Sequence, residues 1–172
     1  MFFLQMSGFP GSGKSTLARE IASQTGAVLV NHHLSKTALL EEIPDIDTKQ
    51  AGKASYKMDW AMIETNLSIG NSAILDSPCL YQPIIEKGEQ LAEQYNVKYK
   101  YVECYLDDFQ EINHRLKQRE SLPSQIKEVS SEVIFQSRLR NSKKPMNHPI
   151  LVIDTKNRLD TYIQKVMDYI KA

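Results

Sequence analysis

The sequence predicts an α/β fold: a three-layer α/β/α sandwich around a five-stranded parallel sheet. Three observations carry this. Five apolar runs of strand length, near residues 2–6, 27–30, 73–76, 97–106 and 150–154, alternate with stretches whose apolar residues recur at helical spacing. Such alternation is the pattern of parallel strands joined by right-handed helical crossovers, which cover both sheet faces. Between the first run and the first helical stretch lies Gly8-Phe9-Pro10-Gly11-Ser12-Gly13-Lys14-Ser15, a full match to G-x-x-x-x-G-K-[ST] in the strand–loop–helix context that this motif requires.

The chain has 172 residues, enough for one domain with a continuous core, and the expectation is a single domain over 1–172. Its 21 basic and 21 acidic residues balance, so no overall field favours nucleic acid or a membrane surface. No apolar stretch has spanning length, and no secretory leader is expected ahead of the first strand. Cys79 and Cys104 have neither metal-site nor disulfide-framework spacing and read as buried structural thiols. A cytoplasmic location is expected.

Taken in order, Phe2 to Met6 is the first strand, and the helix from Ser15 to Gln24 stops at Thr25-Gly26. Ala27 to Val30 reads as a strand covered on both faces. Asn31-His32-His33 follows at its carboxyl end, where ligands bind in open α/β sheets. A helix is expected from Ser35 to Ile43, ended by Pro44. Asp45 to Lys57 is polar, contains Gly52 and reads as a loop or mobile segment. A helix from about Ala54 to Ile69 would pack through Met58, Met62, Thr65 and Ile69, with Gly70 as its stop.

Ala73-Ile74-Leu75-Asp76 is an apolar strand ending in an acid, the form of the strand whose aspartate meets Mg²⁺ beside a phosphate loop. A helix from Tyr81 to Tyr95 and a tyrosine-rich strand from Val97 to Leu106 follow; β propensity accounts for the tyrosines. Asp108 to Glu111 has capping spacing for a helix with Phe109, Ile112 and Leu116 inside and Arg115 and Arg119 one turn apart on another face. The polar excursion beginning at Glu120 has the look of a lid, spanning approximately residues 119–131. A helix from Ser131 to Arg140, a strand from Ile150 to Asp154, an exit loop at Thr155-Lys156-Asn157 and a closing helix complete the chain.

The glycines of the first loop let backbone N–H groups wrap a phosphate, and the following helix N-terminus adds partial positive charge. Gly8, Gly11, Ser12 and Gly13 form that wrap, Lys14 would reach the β- and γ-phosphates, and Ser15 would sit on Mg²⁺. ATP or GTP is therefore the expected ligand. Arginines at the base of a lid can clamp a transferring phosphoryl group.

With these motifs placed, the chain resembles the small P-loop kinases related to adenylate, gluconate and shikimate kinases, within the AAA-type ATP-binding group that includes polynucleotide kinases and antibiotic phosphotransferases. The resemblance rests on GFPGSGKST, ILDSP, HRLKQRES and LVIDTKNRLD and covers nearly the whole length. It implies a P-loop NTPase fold with strand order 2-3-1-4-5. It also implies that Gly11, Ser12, Gly13, Lys14, Ser15 and Thr16 hold the nucleotide phosphates and Mg²⁺, with Asp76 as the second metal contact. It implies that Arg115 lies near the adenine or phosphates, that Arg119 lies in the lid region, and that the loop from Thr155 to Asn157 borders the base.

One departure stands out. Relatives often carry an aspartate just past the second strand, facing the acceptor hydroxyl, whereas this chain has Asn31-His32-His33-Leu34-Ser35-Lys36. His33 is a candidate base, with a plain polar loop residue as the alternative; Asp76 could combine base and metal duties, and Lys36 could contact the substrate. The expected activity is Mg²⁺-dependent transfer of the γ-phosphoryl group of ATP to a hydroxyl of a small molecule that the residues do not identify. The alternative is a nucleotide-binding switch or accessory ATPase without such an acceptor. Phosphorylation of polynucleotide 5′ ends is disfavoured by the neutral charge balance.

Overall fold

The computed structural model describes residues 1–172. Strands β1 (Phe2–Ser7), β2 (Val28–Asn31), β3 (Ala73–Asp76), β4 (Lys98–Tyr105) and β5 (Ile150–Asp154) form one all-parallel sheet in the order β2-β3-β1-β4-β5. The helices are α1 (Lys14–Thr25), α2 (His32–Glu42), α3 (Thr48–Ser68), α4 (Gln82–Gln94), α5 (Phe109–Gln118), α6 (Glu132–Arg140) and α7 (Ile163–Lys171), with a 3₁₀ turn at Leu159–Thr161. The three-layer α/β/α architecture and the strand order agree with the expectation.

Successive strand residues point to opposite faces, so β1 serves two cores at once. Phe3 joins Ile63, Leu67, Leu75, Ile85, Leu91 and Tyr101 on the α3–α4 side. Leu4 and Met6 join Leu17, Ile21, Ile74, Val102, Val166 and Ile170 on the α1–α7 side. A third cluster of Phe9, Leu106, Ile112, Leu116 and Phe135 seats α5 and α6 beneath the glycine loop. The central place of β1 puts its carboxyl end, and so the glycine loop, between β3 and β4.

Several local expectations change. Strand β2 is an edge strand with only Val30 buried, because the sheet ends there. Helix α2 begins at His32, three residues early, because the Asn31 side chain caps it by accepting from the backbone N–H groups of His33 and Leu34. The segment from Thr48 to Lys57, expected as loop, is the first half of α3. Asp47 caps it through Lys49 N–H at 2.6 Å and Gln50 N–H at 3.1 Å. Its buried stripe is Ala51, Ser55, Asp59, Ile63 and Leu67, one residue every four. Three of those five are small or polar, which hides the stripe from a hydrophobic-periodicity reading. Met58 and Met62 are each 47 % exposed and Ile69 is 70 % exposed, so the stripe expected to pack faces solvent.

Gln5 is a polar residue at the centre of the α4-side core, fully buried and fully bonded. Its Nε2 donates to the Ile84 carbonyl at 2.9 Å, and the Tyr99 hydroxyl donates to its Oε1. Gly88 of α4 packs against this group: a Cβ there would stand 2.3 Å from Gln5 Oε1 and 2.9 Å from the Phe3 ring. Alanine in place of a helical glycine normally stabilises by about 1 kcal/mol. Overpacking against an anchored core typically costs about 1–3 kcal/mol. Gly88→Ala is therefore expected to lower stability by about 1 kcal/mol in urea unfolding, and a stabilised variant would contradict this packing.

Candidate active site

The loop after β1 turns on Gly8, whose φ of +133° is a glycine conformation and whose added Cβ would stand 2.2 Å from the Cys104 carbonyl oxygen of β4. Gly13 ends the loop in the left-handed region and acts as the N-cap of α1 with no side-chain cap. No hydrogen bond within the chain uses the backbone N–H groups of Gly13, Lys14, Ser15 or Thr16, and the Ser12 hydroxyl is sealed from solvent without a partner. Five donors therefore gather on consecutive residues at a helix N-terminus, the arrangement that binds phosphate.

Lys14 is only 7 % exposed, and its Nζ donates to the carbonyls of Gly8 at 2.8 Å and Phe9 at 3.0 Å. Burial pulls its pKa down, and the negative charge of Asp76 opposes the shift. Asp76, the last residue of β3, is 2 % exposed and accepts from Asn31 Nδ2 at 2.8 Å. Its register partners are Met6 on β1 and Asn31 on β2, so it stands at the carboxyl end of the sheet beside the loop. Ser15, partly exposed at the start of α1, keeps a free hydroxyl. No group of three or more His, Cys, Asp or Glu side chains gathers anywhere in the chain. The donors present fit Mg²⁺ of the kind held by a hydroxyl, one carboxylate, phosphate oxygens and water. Ser15 and Asp76 are the residues that could hold it.

The arginines part company. Arg115 Nε pairs with Glu111 at 2.7 Å, and its Nη2 donates to the Thr155 carbonyl at 3.0 Å. Thr155 is itself tied to the Tyr105 carbonyl through N and Oγ1, and a Cβ added at Gly13 would stand 3.9 Å from the Thr155 Cβ. Arg115, Thr155 and the glycine loop thus form one side of the cleft, with Asn157 exposed beyond them and touching only the Asp154 carbonyl at 3.5 Å. Arg119 caps α5 and donates through Nη2 to the Ile126 carbonyl at 2.7 Å, leaving Nε buried without a partner.

His33 faces the opposite wall. Its Nδ1 lies 3.2 Å from Ser124 Oγ, which donates to the His33 carbonyl at 3.0 Å and accepts from Thr37 Oγ1 at 3.0 Å. Through Ser124 the segment 119–131 rests on α2. Burial first, and then the charges of Lys14, His32, Arg119 and Lys36, push the His33 pKa down to about 4. Lys14 thus lies within electrostatic reach of Asp76 and Arg119, and His33 within reach of Lys14 and Arg119.

Sequence reasoning passed over Asp59, which is completely buried and pairs with His32 Nδ1 at 2.8 Å. It also missed Ser124 and the bond from Asn31 to Asp76. The only sequence signal for Asp59 is its place in the four-residue stripe of α3.

A family model described as an AAA domain matches residues 4–143. The chain belongs to the AAA domain family. No curated protein matches this AAA domain in sequence. Solved structures similar to it include a candidate kinase from Chloroflexus aurantiacus J-10-fl, with 18 % identity, TM-score 0.77 and coverage of 97 % of each chain. A sugar kinase from Janibacter sp. HTCC2649 has 18 % identity and TM-score 0.67, covering 99 % of this chain and 94 % of its own. Kti12 from Chaetomium thermophilum, solved with ADP-AlF3, has 14 % identity, TM-score 0.65 and 98 % coverage of each chain. The AAA domain thus has a P-loop kinase fold. No helix is long and apolar enough to cross a membrane.

The environment of His33 has a pH signature. The folded chain keeps this imidazole neutral down to about pH 4, while the unfolded chain protonates it near 6.5. The unfolded state then binds the extra proton between those values, so His33 lowers stability as pH falls from 6.5 toward 4 and has no such effect above 6.5. His33→Gln should flatten that part of the stability–pH curve, measured by urea unfolding. An unchanged slope would contradict the assigned environment.

Proposed function

We propose that this AAA domain transfers the γ-phosphoryl group of ATP to a hydroxyl group of a small molecule, with Mg²⁺. The observation that carries the proposal is the cradle of unpaired donors, four consecutive amides and the Ser12 hydroxyl, beside the desolvated Lys14 and the buried acid that ends β3. Gly8, Gly11 and Gly13 shape the loop; Ser12, Lys14, Ser15 and Thr16 bind the phosphates. Arg115 and the Thr155–Asn157 turn border the base. Arg119, with its unpartnered Nε, meets negative charge as it spreads over the transferring group. Ser15 and Asp76 would hold Mg²⁺, which would supply charge neutralisation on the phosphates.

Segment 119–131 acts as a lid. Its Ser124 contacts on α2 lie across the cleft from the glycine loop, so closure excludes water and favours transfer over hydrolysis. The chain works as one catalytic domain, and its two free buried thiols, pushed up to about 12 by burial, suit a cytoplasmic setting.

A second reading is a nucleotide-binding switch or accessory ATPase. It is favoured by the absence of an acid directly after β2 and by the depressed basicity of His33. The two readings part on ADP release measured with Mg²⁺ across sugars, nucleosides and aminoglycosides. The kinase reading predicts stimulation by one class. Basal hydrolysis unchanged by every acceptor supports the switch. Lys14→Ala should lower acceptor-dependent turnover at least about 10²-fold while the far-UV spectrum is retained, in line with the loss of one preorganised donor to transition-state charge. Retained turnover in that variant would sink the proposal.

A further inference from the structure

We propose that the proton acceptor for the substrate hydroxyl is His32, held by Asp59, rather than His33 or Asp76. This assignment rests on the phosphotransferase reading and gives its acceptor side a base.

The geometry is that of a tautomer-fixing dyad. Asp59, completely buried on α3, accepts at Oδ2 from His32 Nδ1 at 2.8 Å and at Oδ1 from Ser35 Oγ at 2.6 Å. A carboxylate used as acceptor at both oxygens places the imidazole proton on Nδ1 and leaves the lone pair on Nε2. Tyr56 stacks on the ring at 3.7 Å with the planes 18° apart, which fixes its rotation. Nε2 makes no hydrogen bond within the chain and is not among the sealed polar atoms, and 7 % of the His32 side chain is accessible. An oriented, partly accessible nitrogen with a free lone pair is what a general base needs.

The placement agrees. His32 directly follows Asn31, whose side chain bonds Asp76, and opens α2 at the carboxyl end of β2, where ligands bind in open α/β sheets. His33 is the weaker choice, because its burial and the neighbouring charges of Lys14, Arg119 and Lys36 disfavour the imidazolium that proton uptake would create.

In the step, the acceptor O–H bond breaks and its proton moves to His32 Nε2 while the oxygen forms a bond to the γ-phosphorus. The bond from that phosphorus to the β–γ bridging oxygen breaks, and ADP leaves with the electron pair. The imidazolium then gives its proton to solvent, so ATP and alcohol yield ADP, phosphate ester and one proton. His32 is the catalytic residue, and Asp59 is a positioning residue.

The test uses the acceptor that stimulates ADP release by the full chain. His32→Gln and His32→Ala should each lower kcat about 10²- to 10⁴-fold, the range of general-base catalysis, with nucleotide affinity unchanged. Added imidazole should restore at least about ten-fold of the loss in His32→Ala, and Asp59→Asn in the His32→Ala background should cost little more, because the pair acts as a unit. Turnover by His32→Gln within about three-fold of wild type, or no recovery with imidazole, overturns the dyad while the kinase reading stands. An unmodified chain whose ADP release no acceptor stimulates overturns both.

Discussion

A buried ammonium group is the constraint on which this molecule depends. Lys14 enters none of the chain's ion pairs, and its Nζ is satisfied only by the carbonyls of Gly8 and Phe9. Withdrawing an ammonium ion from water costs several kcal/mol even after relaxation. The fold meets that cost through geometry. Central β1 delivers the loop to the end of the sheet, the Cys104 carbonyl presses against Gly8, and Asp76 lends its charge from β3. A cation held this way, next to unpaired amides, is worth most to a polyanion that brings its own charge into the same desolvated space.

The two walls of the cleft divide the work. Beside the glycine loop, Arg115 is bonded to the Thr155 carbonyl, and Thr155 to the Tyr105 carbonyl at the end of β4 through its N–H and hydroxyl. The facing wall is α2, with α3 behind it. There the bonds are between side chains of distant elements, from Ser124 to His33 and Thr37 and from Asp59 to His32 and Ser35. Arg119, at the root of segment 119–131, holds that segment through Ile126 and leaves one donor unspent. A cleft with one fixed wall and one assembled from movable contacts suits an activity in which the second substrate completes the site.

The geometry of the glycine loop was legible in the sequence because it is local. Eight consecutive residues encode the turn, the lysine and the helix start, and Asp76 ends its own strand. Parallel topology followed from alternation, and the strand order followed from resemblance. The facing wall was not legible, because it depends on partners far apart in sequence. Asp59 and His32 are 27 residues apart, and His33 and Ser124 are 91 apart. The helix that brings Asp59 to the cleft buries Ala51, Ser55 and Asp59 in its first half, so polarity made a buried helical face look like a loop. The methionines that seemed to mark its core stand in solvent because the true stripe is displaced by one residue from theirs.

The central claim is that the phosphoryl group lodged over Lys14 goes to an alcohol and not to water. Its most direct test is to follow the γ-phosphorus of labelled ATP during turnover with Mg²⁺ and the stimulating acceptor. The account predicts that the label appears in an acid-stable phosphate ester in step with ADP. Label recovered only as inorganic phosphate at the same rate with and without acceptor would contradict it.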